Sequence, residues 1–350
     1  SGVGFIVITA IGLREAIIRS IPDAVKTAIT PGIGLFITII GLKNAGIVIS
    51  NPATLVSLVD FSQWKIEGAD LALMSSALVA LAGLVIMGML HARKVKGSIL
   101  LGIVAATLIG IPLGVTHISN LDMNIGMKFR DFAEVSFMKM DFAGLFSGAN
   151  MVETIFTVTM LVISFSLVNM FDSIGTLLGA AKQSGMIDEN GEVIRMKQAL
   201  MSDAISTAAG AMVGTSTVTT VVESSAGIAA GGRTGLTSLV TALMFLGAIL
   251  FAPIVSIVPA AATAPALIFV GILMLGNIRD VDFSDMSNAL PAFCTIVFMP
   301  FTYSIANGVA FGLITYCLMK LTTGRRQDVK ILTLAISVVF VVRYAFMTLG

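Results

Sequence analysis

Apolar stretches long enough to cross a bilayer recur along the whole chain, separated by short polar joints, and this pattern restricts the fold more than any other feature. A hydrocarbon core of about 30 Å takes about 20 residues of helix. Candidate segments lie near 2–20, 30–49, 70–90, 97–115, 152–181, 197–213, 220–231, 234–257, 262–278, 289–304, 305–323 and 329–348. With 56% hydrophobic and 12% charged residues, the composition is far from that of a soluble domain. A transmembrane barrel would instead show runs of about ten residues alternating apolar and polar. The expectation is therefore an all-α polytopic membrane protein. Two segments have the wrong length for a simple span: at 1.5 Å per residue, 152–181 would measure about 45 Å and 220–231 about 18 Å. The first must tilt, kink or project, and the second cannot cross.

Several function classes fall away. A net charge of +1 gives no electrostatic basis for a nucleic-acid partner. Cys294 and Cys317 both lie in apolar segments and read as buried thiols, while His91 and His117 belong to no metal motif. "GGRTG" at 231–235 lacks the strand, spacing and lysine of a phosphate-binding loop, and no Ser-His-Asp, HExxH or dinucleotide pattern occurs. No metal, no cofactor and no enzymatic activity is expected. The chain opens on "SGVGFIVITAIGL" without a charged n-region or cleavage site, so it reads as the interior of a longer sequence.

Basic residues give an orientation, because cytoplasmic joints retain Lys and Arg. Those at 14–26, 93–96, 182–197, 233, 279 and 320–330 fall on one side if segments alternate and 220–231 counts as one pass. Only Lys43, Lys65, Lys128, Arg130 and Lys139 fall on the other. The joint "KQSGMIDENGEVIRMK", with its Asn-Gly turn signal, is then cytoplasmic and the long joint 116–151 external. Arg343, inside the last apolar run, leaves that segment's placement open. An internal echo links "KGSILLGIVAATLIGI" (96–111) to "ANGVAFGLITYCLMKL" (306–321), and "PGIGLFITIIGLKNAGI" (31–47) to "APALIFVGILMLGNIRDV" (264–281). Paired apolar halves of this kind are mostly a transporter feature.

The short segment is also chemically odd. In "GTSTVTTVV" (214–222), seven of nine residues are Thr or Val, which favours an extended strand. In lipid such a strand needs partners for its amides and carbonyls. "ESSAGIAAGG" (223–232) is small, helix-compatible and ends in glycines that can cap it. The segment reads as strand then half-helix, with Glu223 at the junction, where free N–H groups and the positive helix end point into the protein. A second acid lies in "VISFSLVNMFDSIGTLLGAA", where Ser166, Asn169, Asp172 or Ser173, and Thr176 share one helix face. An intramembrane carboxylate costs about 2.5–3.5 kcal/mol even on a lenient scale, so function is the default reading. The alternative is that Asp172 and Glu223 are structural acids bonded to backbone N–H groups at helix ends. Asp203 in "LMSDAIST" leans towards such a structural role. Two acids in a cavity can each do two jobs: ionised, they accept parallel N–H donors from a planar heterocycle, and protonated, they carry a proton with the cargo.

"FDSIGTLLG" (171–179), "GTSTVTTVVESSAGIAAGGRTGL" (214–236), "ALPAFCTIVFMPFTYSIANGVAFG" (289–312) and "GIGLFITIIGLKNAGIV" near the start together resemble the nucleobase-cation symporter-2 family, in its AzgA-like branch of hypoxanthine, guanine and adenine permeases. The resemblance runs over essentially the whole chain. It implies the UraA-like fold of fourteen segments in two inverted repeats of seven, divided into core and gate domains that move against one another. On that pattern the chain begins at the fourth segment. Core segments are 1–27 and 151–259, and gate segments 28–150 and 260–350, the last including the terminal apolar run. By resemblance Asp172 and Glu223 bind substrate and couple the proton, with Thr176, Val222 and Ser224 beside them. The family's broken third segment, whose strand pairs with 215–220, has no counterpart here, so these 350 residues alone are expected to leave that backbone partly unpaired and not to transport. The implied activity is proton-coupled uptake of purine nucleobases across the cytoplasmic membrane, with the lipid bilayer as surroundings and a homodimer as the possible assembly. An anion carrier on the same fold, or a permease of the uracil or xanthine type, are the alternatives. The former would want a bare positive helix end, against which Glu223 and Asp172 argue.

Overall fold

A computed structural model describes residues 6–7, 9–62, 71–117, 130, 134, 137–139, 169–170, 172–189, 193–215, 217–221, 223–250 and 257–349. The helices are α1 (Leu13–Ser20), α2 (Asp23–Asn44), α3 (Leu71–Ala92), α4 (Ser98–Gly110), α5 (Met196–Val213), α6 (Ser224–Ala229), α7 (Gly235–Leu250), α8 (Ala260–Leu275), α9 (Met286–Phe301), α10 (Ile305–Thr322) and α11 (Ile331–Leu349). A further helical stretch covers 172–184. Among the described residues four helices are long and apolar enough to cross a membrane: Asp23–Asn44, Leu71–Ala92, Ala260–Asp280 and Ile305–Thr322. The chain is thus mostly helical with repeated apolar helices, as its hydropathy pattern dictates. The segment expected at 2–20 is interrupted at Gly12, whose φ of 77° suits a residue without a side chain. Little of 116–151 and of 152–181 falls within the described residues.

One feature departs from the all-helical expectation. β1 (Val48–Asn51) and β2 (Leu55–Leu58) form an antiparallel hairpin with Val48 opposite Leu58 and Asn51 opposite Leu55. Its turn is set by the Asn51 side chain, which accepts from the Ala53 and Thr54 amides at 2.9 and 3.3 Å. The sequence "IVISNPATLVSLV" carries the signal, an Asn-Pro turn between β-branched runs, that a reading for spans passes over.

The chain divides into two compact units. The first comprises Ser1–Ile33, Gly126–Val222 and Gly276–Gly350. Its tightest element is the α9–α10 hairpin, turned by Tyr303 at φ 55° and capped by Ser304, whose hydroxyl accepts from the Asn307 amide. Gly308 and Gly312 let the two backbones approach. A Cβ on Gly308 would lie 2.7 Å from the Thr295 carbonyl oxygen, and one on Gly312 would lie 3.3 Å from that of Pro291. A polar clasp closes the far end: Lys320, almost fully buried, donates to Ser287 Oγ at 2.8 Å and lies 3.8 Å from Asp328. There Asp285 caps α9 by accepting from the Ser287 amide and hydroxyl and from Arg325, and these donors hold its carboxyl down at about 2. α11 is tied to α1 by Thr333, which donates to the Ser20 carbonyl at 2.6 Å, and by Lys330, which donates to that of Arg19 at 2.7 Å.

The second unit comprises Gly34–Ile125 and Glu223–Leu275. Here α2 crosses α8 at two glycines: a Cβ on Gly34 would lie 2.9 Å from the Gly271 carbonyl oxygen, and one on Gly271 would lie 2.7 Å from that of Gly34. These are the helices of the 31–47 and 264–281 echo, and their contact is reciprocal. Gly83 on α3 packs in the same way against Pro265 of α8 and Ala106 of α4.

Candidate functional site

α5 ends at Gly214, in the left-handed conformation at φ 83° with its amide bonded back to the last turn. The Thr215 amide then donates to the Gly210 carbonyl at 3.0 Å, and the chain doubles back along α5. No strand ladder forms at 217–221 among the described residues. Side chains of α5 take its place. Thr207 donates its hydroxyl to the Val218 carbonyl at 2.8 Å. Asp203 Oδ1 accepts from the Thr219 hydroxyl at 2.9 Å and from the Thr220 amide at 3.1 Å. Gly210 makes room, since a Cβ there would clash with Val218. The composition therefore gives an extended segment, and α5 side chains bond two of its backbone groups, the Val218 carbonyl and the Thr220 amide.

The extended segment leads into α6, the six-residue half-helix Ser224–Ala229, with Glu223 as its N-cap at φ −59° and ψ −22°. The Glu223 side chain makes no capping hydrogen bond and is exposed, as is Ser224, whereas Ser225 is buried. Val222 lies outside the described residues. Glu223 and Ser224 belong to the second unit, Asp172 and Thr176 to the first.

Asp172, half-buried on the 172–184 stretch, accepts from the Ala306 amide at 2.9 Å and so faces the N-terminal turn of α10. Arg343 of α11 acts on it electrostatically. Thr176 spends its hydroxyl on its own helix, donating to the Asp172 and Ser173 carbonyls at 2.9 and 3.1 Å. Asn169, one turn before Asp172, has a buried Nδ2 with no acceptor among the described residues.

The sequence reading put Ser173 on the polar helix face as an alternative to Asp172 but gave it no partner. Fully buried, its hydroxyl shares a 2.5 Å hydrogen bond with that of Thr219. Ser173, Thr219 and Asp203 thus form a chain from the acidic helix through the extended segment to α5. Beside it a cavity of about 310 Å³ is lined by Leu177, Ala199, Ser202, Asp203, Ser206, Val218, Thr219 and Thr220. The available signal was spacing: Ser202, Asp203, Ser206 and Thr207 fall at one, three and four residues apart, a polar face on a helix ending in glycine. Among the described residues no group of three or more His, Cys, Asp or Glu could hold a metal.

The permease family Xan_ur_permease matches residues 1–311. Adenine permease AdeP of Escherichia coli K12 is 39% identical over 344 residues, covering 98% of this chain and 72% of the relative. Adenine permease AdeQ of the same organism is 38% identical over 346 residues, 97% of this chain and 71% of the relative. The guanine/hypoxanthine permease PbuO of Bacillus subtilis 168 is 36% identical over 354 residues, 98% of this chain and 75% of the relative.

Proposed function

The chain belongs to the Xan_ur_permease family, the nucleobase-cation symporter-2 group and a family of multi-pass plasma-membrane transporters, and from that premise we propose that it carries purine nucleobases inward with protons. The observation that carries this reading is the similarity along nearly the whole chain to permeases named for adenine and for guanine and hypoxanthine. Glu223 stands where the extended segment becomes a half-helix, and its carboxylate accepts the ring and exocyclic N–H donors of a flat base. Asp172 is the second acid, and Thr176, Val222 and Ser224 flank the pair. Protonation of Glu223 removes one charge and couples the proton to the cargo. The core (1–27 and 151–259) moves as a body against the gate (28–150 and 260–350), in an elevator-like motion of two inverted repeats, with a homodimer as the working assembly.

Asp203 and Ser173 hold the extended segment that precedes Glu223 in the chain. Glu223→Gln keeps size and hydrogen-bonding shape but cannot ionise. In the full-length protein it is expected to abolish purine-dependent proton uptake while folding is kept, read by a pH-sensitive dye inside proteoliposomes. Normal coupled uptake by that variant would refute the assignment. Competition among hypoxanthine, guanine, adenine and uracil identifies the preferred base, and inhibition by uracil alone would remove the purine reading.

A further inference from the structure

A second cavity, of about 460 Å³, lies wholly within the second unit, under the turn between α3 and α4. Its lining separates by chemistry. Lys94, Lys96, Gly97 and Ser98 give it a cationic, hydrogen-bonding part, and His91 stands edge-on to Phe269 with ring centroids 5.0 Å apart. Leu100, Ile103 and Phe269, with Ala226, Ala229 and Ala230 of α6, give it an apolar part. Among the described residues no Asp or Glu lines it, and Lys94 and Lys96 make no ion pair with any of them.

The turn is built to present donors. Lys94 at φ 57° closes α3, its amide donating to the His91 carbonyl at 2.8 Å. Gly97 at φ 75° opens α4 with no side-chain cap. The first hydrogen bond into α4 comes from the Leu101 amide to the Gly97 carbonyl, which leaves the Ser98, Ile99 and Leu100 amides without acceptors among the described residues. Ser98 is 6% exposed and lines the cavity, and its hydroxyl has no hydrogen-bond partner among them. An unused hydroxyl on a buried serine, unpaired lysines and a bare helix start, all on one cavity, ask for an anion with several oxygens.

The apolar end indicates which anion. From the cavity, Leu100, Val104 and Leu108 run up α4 at a spacing of four residues, each about half or more exposed. Eight residues of helix give this stripe a length of about 12 Å, which matches part of an acyl chain lying along the helix. Free phosphate would use only the cationic end. The positive-inside bias places 91–98 at the cytoplasmic face, where anionic lipids supply the negative surface potential. We propose that this cavity is a binding site for one anionic phospholipid, its phosphate at Lys94, Lys96, Ser98 and the α4 N-terminus and one acyl chain along Leu100, Val104 and Leu108.

The test uses the full chain, purified and delipidated in neutral detergent. Phosphatidylglycerol, phosphatidylcholine or inorganic phosphate is titrated in, with thermal unfolding and native mass spectrometry as readouts. Phosphatidylglycerol is expected to raise the unfolding temperature saturably and to remain as one retained lipid. Removing each lysine charge is expected to weaken binding about fivefold, so Lys94→Gln/Lys96→Gln weakens it on the order of 25-fold, while Lys94→Arg/Lys96→Arg retains it. If the double glutamine variant does not fold, the single Lys96→Gln is read against the fivefold expectation. An equal shift with phosphatidylcholine, or a phosphatidylglycerol shift unchanged by the glutamine variants, overturns the proposal. A shift reproduced by inorganic phosphate alone assigns a free anion and overturns it as well.

Discussion

Replacing Asp203 by alanine isolates what holds the extended segment to α5. The carboxylate accepts the Thr219 hydroxyl at 2.9 Å and the Thr220 amide at 3.1 Å from a buried position. The two donors differ in what they can do once it is gone. Thr219 keeps its bond to Ser173. The Thr220 amide belongs to the backbone and cannot rotate to another acceptor, so alanine leaves it stranded at a cost of about 1–3 kcal/mol. Asparagine keeps an acceptor oxygen in place and forfeits only the charge, a loss of well under about 1 kcal/mol, since hydrogen bonds within membrane proteins average about 0.6. If opening of 217–221 exposes the Thr220 amide, a loss of about 2 kcal/mol speeds its hydrogen exchange about 30-fold in Asp203→Ala, against at most about fivefold in Asp203→Asn. Exchange resolved to Thr220 by mass spectrometry reads this locally, and purine uptake by the same variants of the full-length protein should fall in the same order. Equal exchange at Thr220 in the wild type and in Asp203→Ala would refute the reasoning.

Four further outcomes follow. Gly271→Ala puts a methyl 2.7 Å from the Gly34 carbonyl oxygen, an atom that cannot give way, and should cost about 1–3 kcal/mol by fluorescence-detected thermal unfolding. Gly88→Ala on α3, with nothing within 4 Å, should be neutral or stabilising by up to about 1 kcal/mol in the same assay. Ser287→Ala removes the 2.8 Å acceptor of buried Lys320 and should lower the unfolding temperature more than Lys320→Met, which removes the charge together with its need for a partner. The Asp285 carboxyl is held at about 2, below its value in an unfolded chain near 4. Its contribution is therefore fully present above about pH 4 and is lost as pH falls towards about 2. The stability difference between wild type and Asp285→Asn should stay constant from pH 8 to about 4 and shrink below it, as followed by pH-jump unfolding.

Much was fixed by short-range properties. Length and apolarity over about 20 residues decide whether a segment can live in lipid, so α2, α3, α8 and α10 could be placed from the sequence, and so could α6 as a helix too short to cross. The Thr/Val run likewise marked its own extended backbone, because β-branched side chains restrict local torsions whatever surrounds them. The β1–β2 hairpin carried an equally local signal in Asn51 and Pro52 that a search for spans does not weigh.

Partnership is a different matter. That Asp172 meets the Ala306 amide, 134 residues away, or that Ser173 meets Thr219, 46 away, follows from how helices pack, and no periodicity within either segment encodes it. Asp203 looked like a helix-end acid because its neighbours in sequence are all that a sequence shows, yet its carboxylate anchors a backbone that doubles back from Gly214. The sequence by itself determined which segments are membrane helices and where an acid interrupts them, since those depend on a side chain and its nearest neighbours along the chain. Only the tertiary structure decided what each acid touches, because a hydrogen bond depends on positions to within a few tenths of an ångström, and those are set by close approaches such as Gly34 to Gly271 that many residues fix together.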